Sequence, residues 1–164
     1  MRNLGQLGMK LYGTFLAATR SLQSVVLLAV RLYWGWQFYA TGRGKLSDLP
    51  KVVEFFTSLG IPAPALNAYF VTGLEVGGGI LLFIGLGSRL IALPLFIDMV
   101  VAYITADREA LLAVLSDPDK FMAAAPFTFM MASLVILVFG PGRFALDTLV
   151  ARYLHRHDTA QPAG

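Results

Sequence analysis

Three ionisable residues stand where a bilayer penalises them. Arg31, Glu75 and Asp98 each fall near the middle of a different membrane-length apolar segment. A charge at that depth costs about 2.5–3.5 kcal/mol on insertion scales, so it normally faces the protein interior, finds a partner and marks a site. With a rise of about 1.5 Å per residue the three share roughly one depth, and inward-facing side chains can meet. The expected contact is an Arg31–Glu75 ion pair with Asp98 as its neighbour. Opposite charges about 4 Å apart gain about 4 kcal/mol at an effective dielectric of about 20, less than the summed insertion cost, so further hydrogen bonds or water must join. One guanidinium cannot neutralise two carboxylates, and like charges in a low dielectric leave one of them holding a proton at rest. Proton uptake and release is what quinone chemistry or proton-coupled transport would use, and it makes Glu75, Asp98 and Arg31 the candidate catalytic residues. The plain alternative is that the three merely fix helix register and orientation.

The composition says what must position them. The chain has 164 residues, 57% hydrophobic and only 14% charged, with a mean hydropathy of +0.67, where a soluble domain would carry about 25% charged residues. This is the composition of an integral membrane protein. A span needs about 20 apolar residues, and four stretches qualify: 22–42, 66–86, 88–106 and 120–139. The expected fold is all-α, a four-transmembrane-helix bundle over 21–142. Amphipathic interfacial helices are expected at the N-terminus (1–20), in the first and third connections, and along the C-terminal segment (143–164).

The N-terminal segment lacks the sustained apolar core and small-residue cleavage site of a secretory signal. Leu4, Leu7, Leu11 and Phe15 recur instead at helical spacing, as in a helix lying in the membrane interface. In the first connection Val52, Val53, Phe55, Phe56 and Leu59 form about two helical turns ended by Gly60 and Pro62. Gly85, Gly87 and Ser88 leave so short a turn that the second and third spans must be an antiparallel hairpin. Beyond them, 107–115 keeps helical spacing until Ser116-Asp117-Pro118-Asp119, which could cap the fourth span. Pro94 and Pro126 are expected to kink the spans that contain them.

Net charge is +3, but Lys and Arg are dispersed as flanking charges, which reads as membrane topology and not as nucleic-acid binding. Leaving out Arg31, one side holds Arg2, Lys10, Arg20, Arg89, Arg143, Arg152 and Arg156, and the other Arg43, Lys45, Lys51, Arg108 and Lys120. The positive-inside rule then puts both termini in the cytoplasm. With no cysteine in the chain, cysteine-ligated clusters, c-type haem attachment and disulfide chemistry are excluded within it. His155 and His157 in a polar tail read as solvated, not as metal ligands.

Two further patterns surround the charges. Gly73 and Gly77 flank Glu75 at the spacing that lets helix backbones approach, with Gly78 and Gly79 widening the smooth face and Gly35 one turn after Arg31. Tyr33, Trp34, Trp36, Phe38 and Tyr39 follow Arg31. Tyr33 and Trp34 are too deep for an interfacial belt and could line a slot for a flat headgroup such as a quinone. Arg31, Tyr33, Trp34 and Gly78 are therefore the candidate cofactor contacts. At the cytoplasmic end, Gly140-Pro141-Gly142 must stop the fourth span, after which Phe144, Leu149, Val150 and Tyr153 can face lipid and Asp147 can pair with Arg89.

Arg31-Leu32 with Gly35, Phe38, Gly42 and Lys45-Leu46, then Glu75 with Gly78-Gly79, Leu82, Gly85-Leu86 and Ser88-Arg89, and finally Gly140-Pro141-Gly142-Arg143-Phe144 with Leu146-Asp147, together resemble the DoxX family of small four-helix membrane proteins over residues 25–148. Ala145 replaces the family's usual serine, and Asp98 has no clear place in its pattern. The resemblance implies a bacterial-type plasma-membrane protein, related to small subunits of thiosulfate:quinone oxidoreductases and to membrane oxidoreductase complexes that handle thiol or peroxide stress. Fold follows from such a resemblance more firmly than activity does. Three readings stand: a subunit of a quinone-linked oxidoreductase with a redox partner; a non-catalytic scaffold docking a soluble partner through Arg89, Arg143, Asp147 and Arg152; and a small proton-coupled carrier, which would have to oligomerise.

Overall fold

The computed structural model describes residues 2–158, with the backbone alone for residues 2–5, 7, 8 and 154–158. The described residues form eight helices and no strand: α1 (Arg2–Ser47), α2 (Leu49–Ser58), α3 (Pro64–Ile84), α4 (Ser88–Thr105), α5 (Arg108–Leu112), α6 (Pro118–Ala123), α7 (Ala125–Phe139) and α8 (Leu146–Asp158). Met9–Ser47, α3 and α4 are long and apolar enough to cross a membrane, and α7 is a shorter apolar helix.

The first span is longer than its hydropathy suggests. α1 runs 46 residues without interruption, about 69 Å at 1.5 Å per residue. The expected separate helix over 1–20 is thus continuous with the span. Nothing in the sequence stops it there: the hydroxyls of Thr14, Thr19 and Ser21 donate back to the carbonyls of Lys10, Leu16 and Ala17, which satisfies them inside the helix. Leu11, Tyr12 and Phe15 are exposed. The side chains of Leu4 and Leu7 lie outside the described residues. α1 ends only at Ser47, where Asp48 caps α2 by accepting from Lys51 N at 3.4 Å and Pro50 occupies the first turn.

α3 and α4 form the expected antiparallel hairpin. Gly85 closes α3 in the left-handed region (φ +78°), with Gly85 N and Leu86 N both donating to Leu81 O, and Gly87 (φ +60°) turns the chain into α4. Pro94 lies inside α4 as expected.

The fourth apolar stretch differs from expectation. It is two helices, α6 and α7, separated by Ala124 in extended conformation (φ −66°, ψ +139°). Pro126 therefore stands in the first turn of α7 and does not kink a continuous span. Its ring would clash with the carbonyl one turn back and it offers no N–H, so a break just upstream removes both penalties. Tyr103 ties the detached α6 to α4: its hydroxyl donates to Phe121 O at 2.7 Å and its ring stacks on that of Phe121, centroids 4.9 Å apart. The helical stretch expected over 107–115 is the shorter α5, and Asp117 caps α6 through Lys120 N as the sequence suggests.

α1 packs chiefly on α3, and α4 on α7, around a core of Phe38, Leu82, Ala92, Leu95, Met99 and Ile136. The α1–α3 contact is backbone on backbone. A β-carbon at Gly79 would lie 2.5 Å from Tyr39 N, one at Gly35 2.7 Å from Phe83 N, and one at Gly42 2.8 Å from Val76 N. Gly73 and Gly77, the expected contact pair, face open space.

Candidate functional site

The antiparallel register decides which charges meet. Gly35 lies against Gly79 and Phe83, Gly42 against Glu75 and Val76, and Arg31 against Gly85. Gly85 is ten residues from Glu75 along α3, about 15 Å. Arg31 therefore sits at the hairpin end of the bundle, and the expected Arg31–Glu75 pair does not form.

At that end Arg31, only 2% exposed, closes the chain's last turn. Nη1 donates to Pro141 O at 2.8 Å and Nη2 to Phe144 O at 3.2 Å. A β-carbon at Gly85 would stand 2.6 Å from the guanidinium carbon and 2.8 Å from the fully buried Ala145 methyl, so the close fit needs both small residues. Asp147 also acts on the charge of Arg31. Its carboxylate does not pair with Arg89. Oδ1 accepts from Gly87 N at 2.7 Å and Oδ2 from Ser88 N at 2.9 Å, while Arg89 donates to Val138 O. The free N–H groups at the start of α4 are a better partner for a carboxylate than an exposed guanidinium, because helix-start donors have no other acceptor. Asp147→Ala should thus cost about 1–2 kcal/mol, as loss of a cap does, and Asp147→Asn less, since the amide keeps one acceptor. Thermal unfolding of the three proteins in detergent checks this; equal midpoints would contradict it.

The opposite half of the bundle holds the other two charges. Glu75, 2% exposed, accepts at Oε1 from Lys45 Nζ at 2.6 Å. Asp98 on α4 lies within electrostatic reach of both. All three line a cavity of about 1010 Å³ under α2, whose apolar wall includes Val52, Phe55, Phe56 and Phe129. Glu75 Oε2 and Asp98 Oδ2 are buried without a hydrogen-bond partner. Lys45 answers for one carboxylate of the two, and both acids belong to the lining of a space large enough for a small molecule. The arrangement can bind a polar headgroup and exchange a proton with it.

The remaining candidate contacts are elsewhere. Tyr33 is 59% exposed, its ring edge-on to Trp34 at 5.1 Å, and Trp34 packs in turn on Phe129 at 4.9 Å. Gly78 is covered by Ile91 and Leu95. None of Arg31, Tyr33, Trp34 and Gly78 borders the cavity. Lys45 was the residue missed. The signal for it was present: Phe38, Gly42 and Lys45 recur at helical spacing, but the apolar stretch is bounded at Gly42 and the helix is not.

The DoxX family model matches residues 26–108. The chain belongs to the DoxX family. The match takes in Arg31, Lys45, Glu75 and Asp98, while the Gly140–Asp147 turn lies beyond it. Among curated relatives of this DoxX chain, a Bacillus subtilis (strain 168) protein named "Putative oxidoreductase CatD" is 28% identical over 125 residues, 75% of this chain and 85% of that protein. A Mycobacterium tuberculosis (strain ATCC 25618 / H37Rv) protein named "Uncharacterized membrane protein Rv3486" is 34% identical over 138 residues, 77% and 82% of the two chains. No solved structure matches. With three membrane-length apolar helices, this DoxX protein is a multi-pass membrane protein. Among the described residues no group of His, Cys, Asp and Glu could hold a metal ion; the side chains of His155 and His157 lie outside them.

Proposed function

We propose that this DoxX-family protein is the small membrane subunit of a quinone-linked redox complex, its quinone headgroup seated in the cavity beside Lys45, Glu75 and Asp98. The observation that carries the reading is the convergence of Lys45, Glu75 and Asp98 on one apolar, aromatic-lined space, with an oxygen of each acid buried and without a protein partner. Buried polar atoms without partners are rare unless a ligand or water completes them. The B. subtilis relative's name supports a redox role. A bound quinone would supply two-electron, two-proton chemistry that the chain's own side chains do not. The protein's part is to orient the headgroup through Lys45, to hold or release a proton at Glu75 and Asp98, and to keep bulk water from the ring with Phe55, Phe56 and Phe129. Electrons would pass to or from a partner subunit.

In this reading α1, α3, α4 and the broken α6–α7 pair cross a bacterial-type plasma membrane, with α2 and α8 along its surfaces. The excess of Lys and Arg at the hairpin end supports an orientation with that end and both termini in the cytoplasm. The cavity then opens toward the outer side. Arg31, Tyr33, Trp34 and Gly78 shape and stiffen the bundle without touching the headgroup.

The test is mass spectrometry of protein extracted gently from its native membrane. Quinone is expected at about one per chain, and it should be lost from a Lys45→Met/Glu75→Gln double variant that still folds. Wild-type protein that carries no quinone and takes none up on reconstitution would overturn the proposal.

A further inference from the structure

The charges beside the cavity do not cancel. Lys45 on α1 pairs with Glu75 on α3, and Asp98 on α4 stands near both without an ion pair of its own. The register of the hairpin puts the two acids across from each other: Gly78 is covered by Ile91 and Leu95, and one turn further from the hairpin on each helix comes Glu75 on one side and Asp98 on the other. The other ionisable residues of the cavity are Asp48 and Lys51 beside α2 and Asp107 after α4, and α7 contributes none. Asp48 and Lys51 are exposed, so water screens them from the buried group. Ionising Glu75 and Asp98 together would leave one uncompensated negative charge in a low dielectric. One proton between them removes it, and it turns an acceptor-only oxygen of one acid into a donor.

The two directions out of this site differ. Away from the hairpin both acids line the cavity of about 1010 Å³, whose lining continues to Thr41, Gly44, Asp48 and Lys51, all exposed. Asp98 itself is only half-buried. Toward the hairpin, Phe38, Leu82, Ala92, Leu95 and Ile136 are fully buried, and α1 meets α3 backbone to backbone at Gly35 and Gly79. The one buried hydroxyl in that layer, Ser133, is spent on Phe129 O. From Glu75 to Gly85 is about 15 Å. Protons travel along hydrogen-bonded groups or water, and water does not settle among apolar side chains that offer it no partner. The hollow at the hairpin end, lined by Gly87, Arg89, Pro141 and Asp147 among others, shares no residue with the cavity.

We propose that Glu75 and Asp98 share one dissociable proton and exchange it only with the aqueous phase on the α2 side, opposite the hairpin. The proposal concerns the chain's own acids and holds with the cavity empty. It goes beyond the headgroup reading by fixing the side of the membrane on which protons enter and leave.

Infrared difference spectra of the whole protein, reconstituted without quinone in sealed liposomes, test it. The pH is raised outside alone, and an ionophore that exchanges potassium for protons then brings the interior along. The chain has no cysteine, so Arg152→Cys, exposed on α8 beside the hairpin, reports orientation by its reaction with an impermeant maleimide. With the hairpin end inside, the external step alone should remove the carbonyl band of a protonated carboxylic acid, and the ionophore should add nothing. With the hairpin end outside, the band should persist until the ionophore is added. Glu75→Gln and Asp98→Asn should each lack the band entirely, because Lys45 balances the single acid that remains; either variant suffices to assign it. A band that follows the pH of the hairpin side, or follows the external step in both orientations, would overturn the sidedness. Absence of a band that these variants remove would overturn the shared proton. Neither result touches the headgroup reading, which stands or falls on quinone retention.

Discussion

Lys45→Met should lower the stability of the folded protein by about 2–4 kcal/mol, because it leaves the Glu75 carboxylate buried without the cation it faces at 2.6 Å. Breaking a buried pair by removing one member costs about 3–5 kcal/mol when both are fully buried. The Lys45 side chain is 34% exposed, so solvent screening takes part of that away. The double variant Lys45→Met/Glu75→Gln should recover most of the loss, since no uncompensated charge remains. Unfolding midpoints of wild type, both single variants and the double variant form the cycle that checks it. Additive single-variant losses would mean that the two side chains do not act as a pair.

Gly79→Ala should be still more damaging. The added carbon would stand 2.5 Å from Tyr39 N and 2.7 Å from Gly35 O, and neither backbone atom can swing aside as a side-chain tip could. Overpacking a core costs about 1–3 kcal/mol when side chains can yield, so about 3 kcal/mol or more is expected here, with little folded protein recovered from membranes. Gly77→Ala is the matched control two residues away. Nothing stands within 4 Å of its added carbon, and the better helix propensity of alanine should leave it neutral or stabilised by about 0.5–1 kcal/mol. Size-exclusion profiles and unfolding midpoints of the two variants separate these outcomes. Equal tolerance at 77 and 79 would contradict the α1–α3 register.

That register is also where sequence reasoning reached its limit. The apolar helices α3 and α4, the short hairpin between them, the stop at Gly140 and the burial of Glu75 were legible, because apolar length, glycine in tight turns and the cost of a deep charge are local properties. Which charges meet is not local. Centring each span on its apolar stretch puts Arg31 level with Glu75, yet α1 continues as helix through Ser47 and packs with Gly42 at the height of Glu75. Lys45 thereby replaces Arg31 as the partner. The same limit applies to the glycines. A four-residue spacing marks Gly73 and Gly77, whereas the rotation of α3 about its axis turns Gly79 to α1, and one strand of sequence carries no record of that rotation. The break at Ala124 was half visible: Pro126 announced a disturbance, and its position in the first turn of a new helix follows from how α6 is held by Tyr103.

The two ends of the bundle differ in how their polar residues are engaged. Arg31, Gly85, Ala145 and Asp147 join the hairpin turn to the segment after α7. The two Nη atoms of Arg31 and both Asp147 oxygens are engaged with backbone, the pattern of a structural clasp, while Arg31 Nε is buried without a partner. Lys45, Glu75 and Asp98 instead border a large space and leave two oxygens unpaired. An Arg31→Gln protein should consequently be less stable yet keep its ligand affinity, whereas Glu75→Gln should change affinity.

The most direct test of that division is photo-crosslinking with a photoreactive quinone analogue, followed by peptide mapping of the labelled protein. Label is expected on the cavity wall, at Phe55, Phe56 or Phe129, and should fall away when unlabelled quinone or hydroquinone competes. Competed labelling around Arg31, Tyr33 and Phe144 instead would contradict the assignment of the site to Lys45, Glu75 and Asp98.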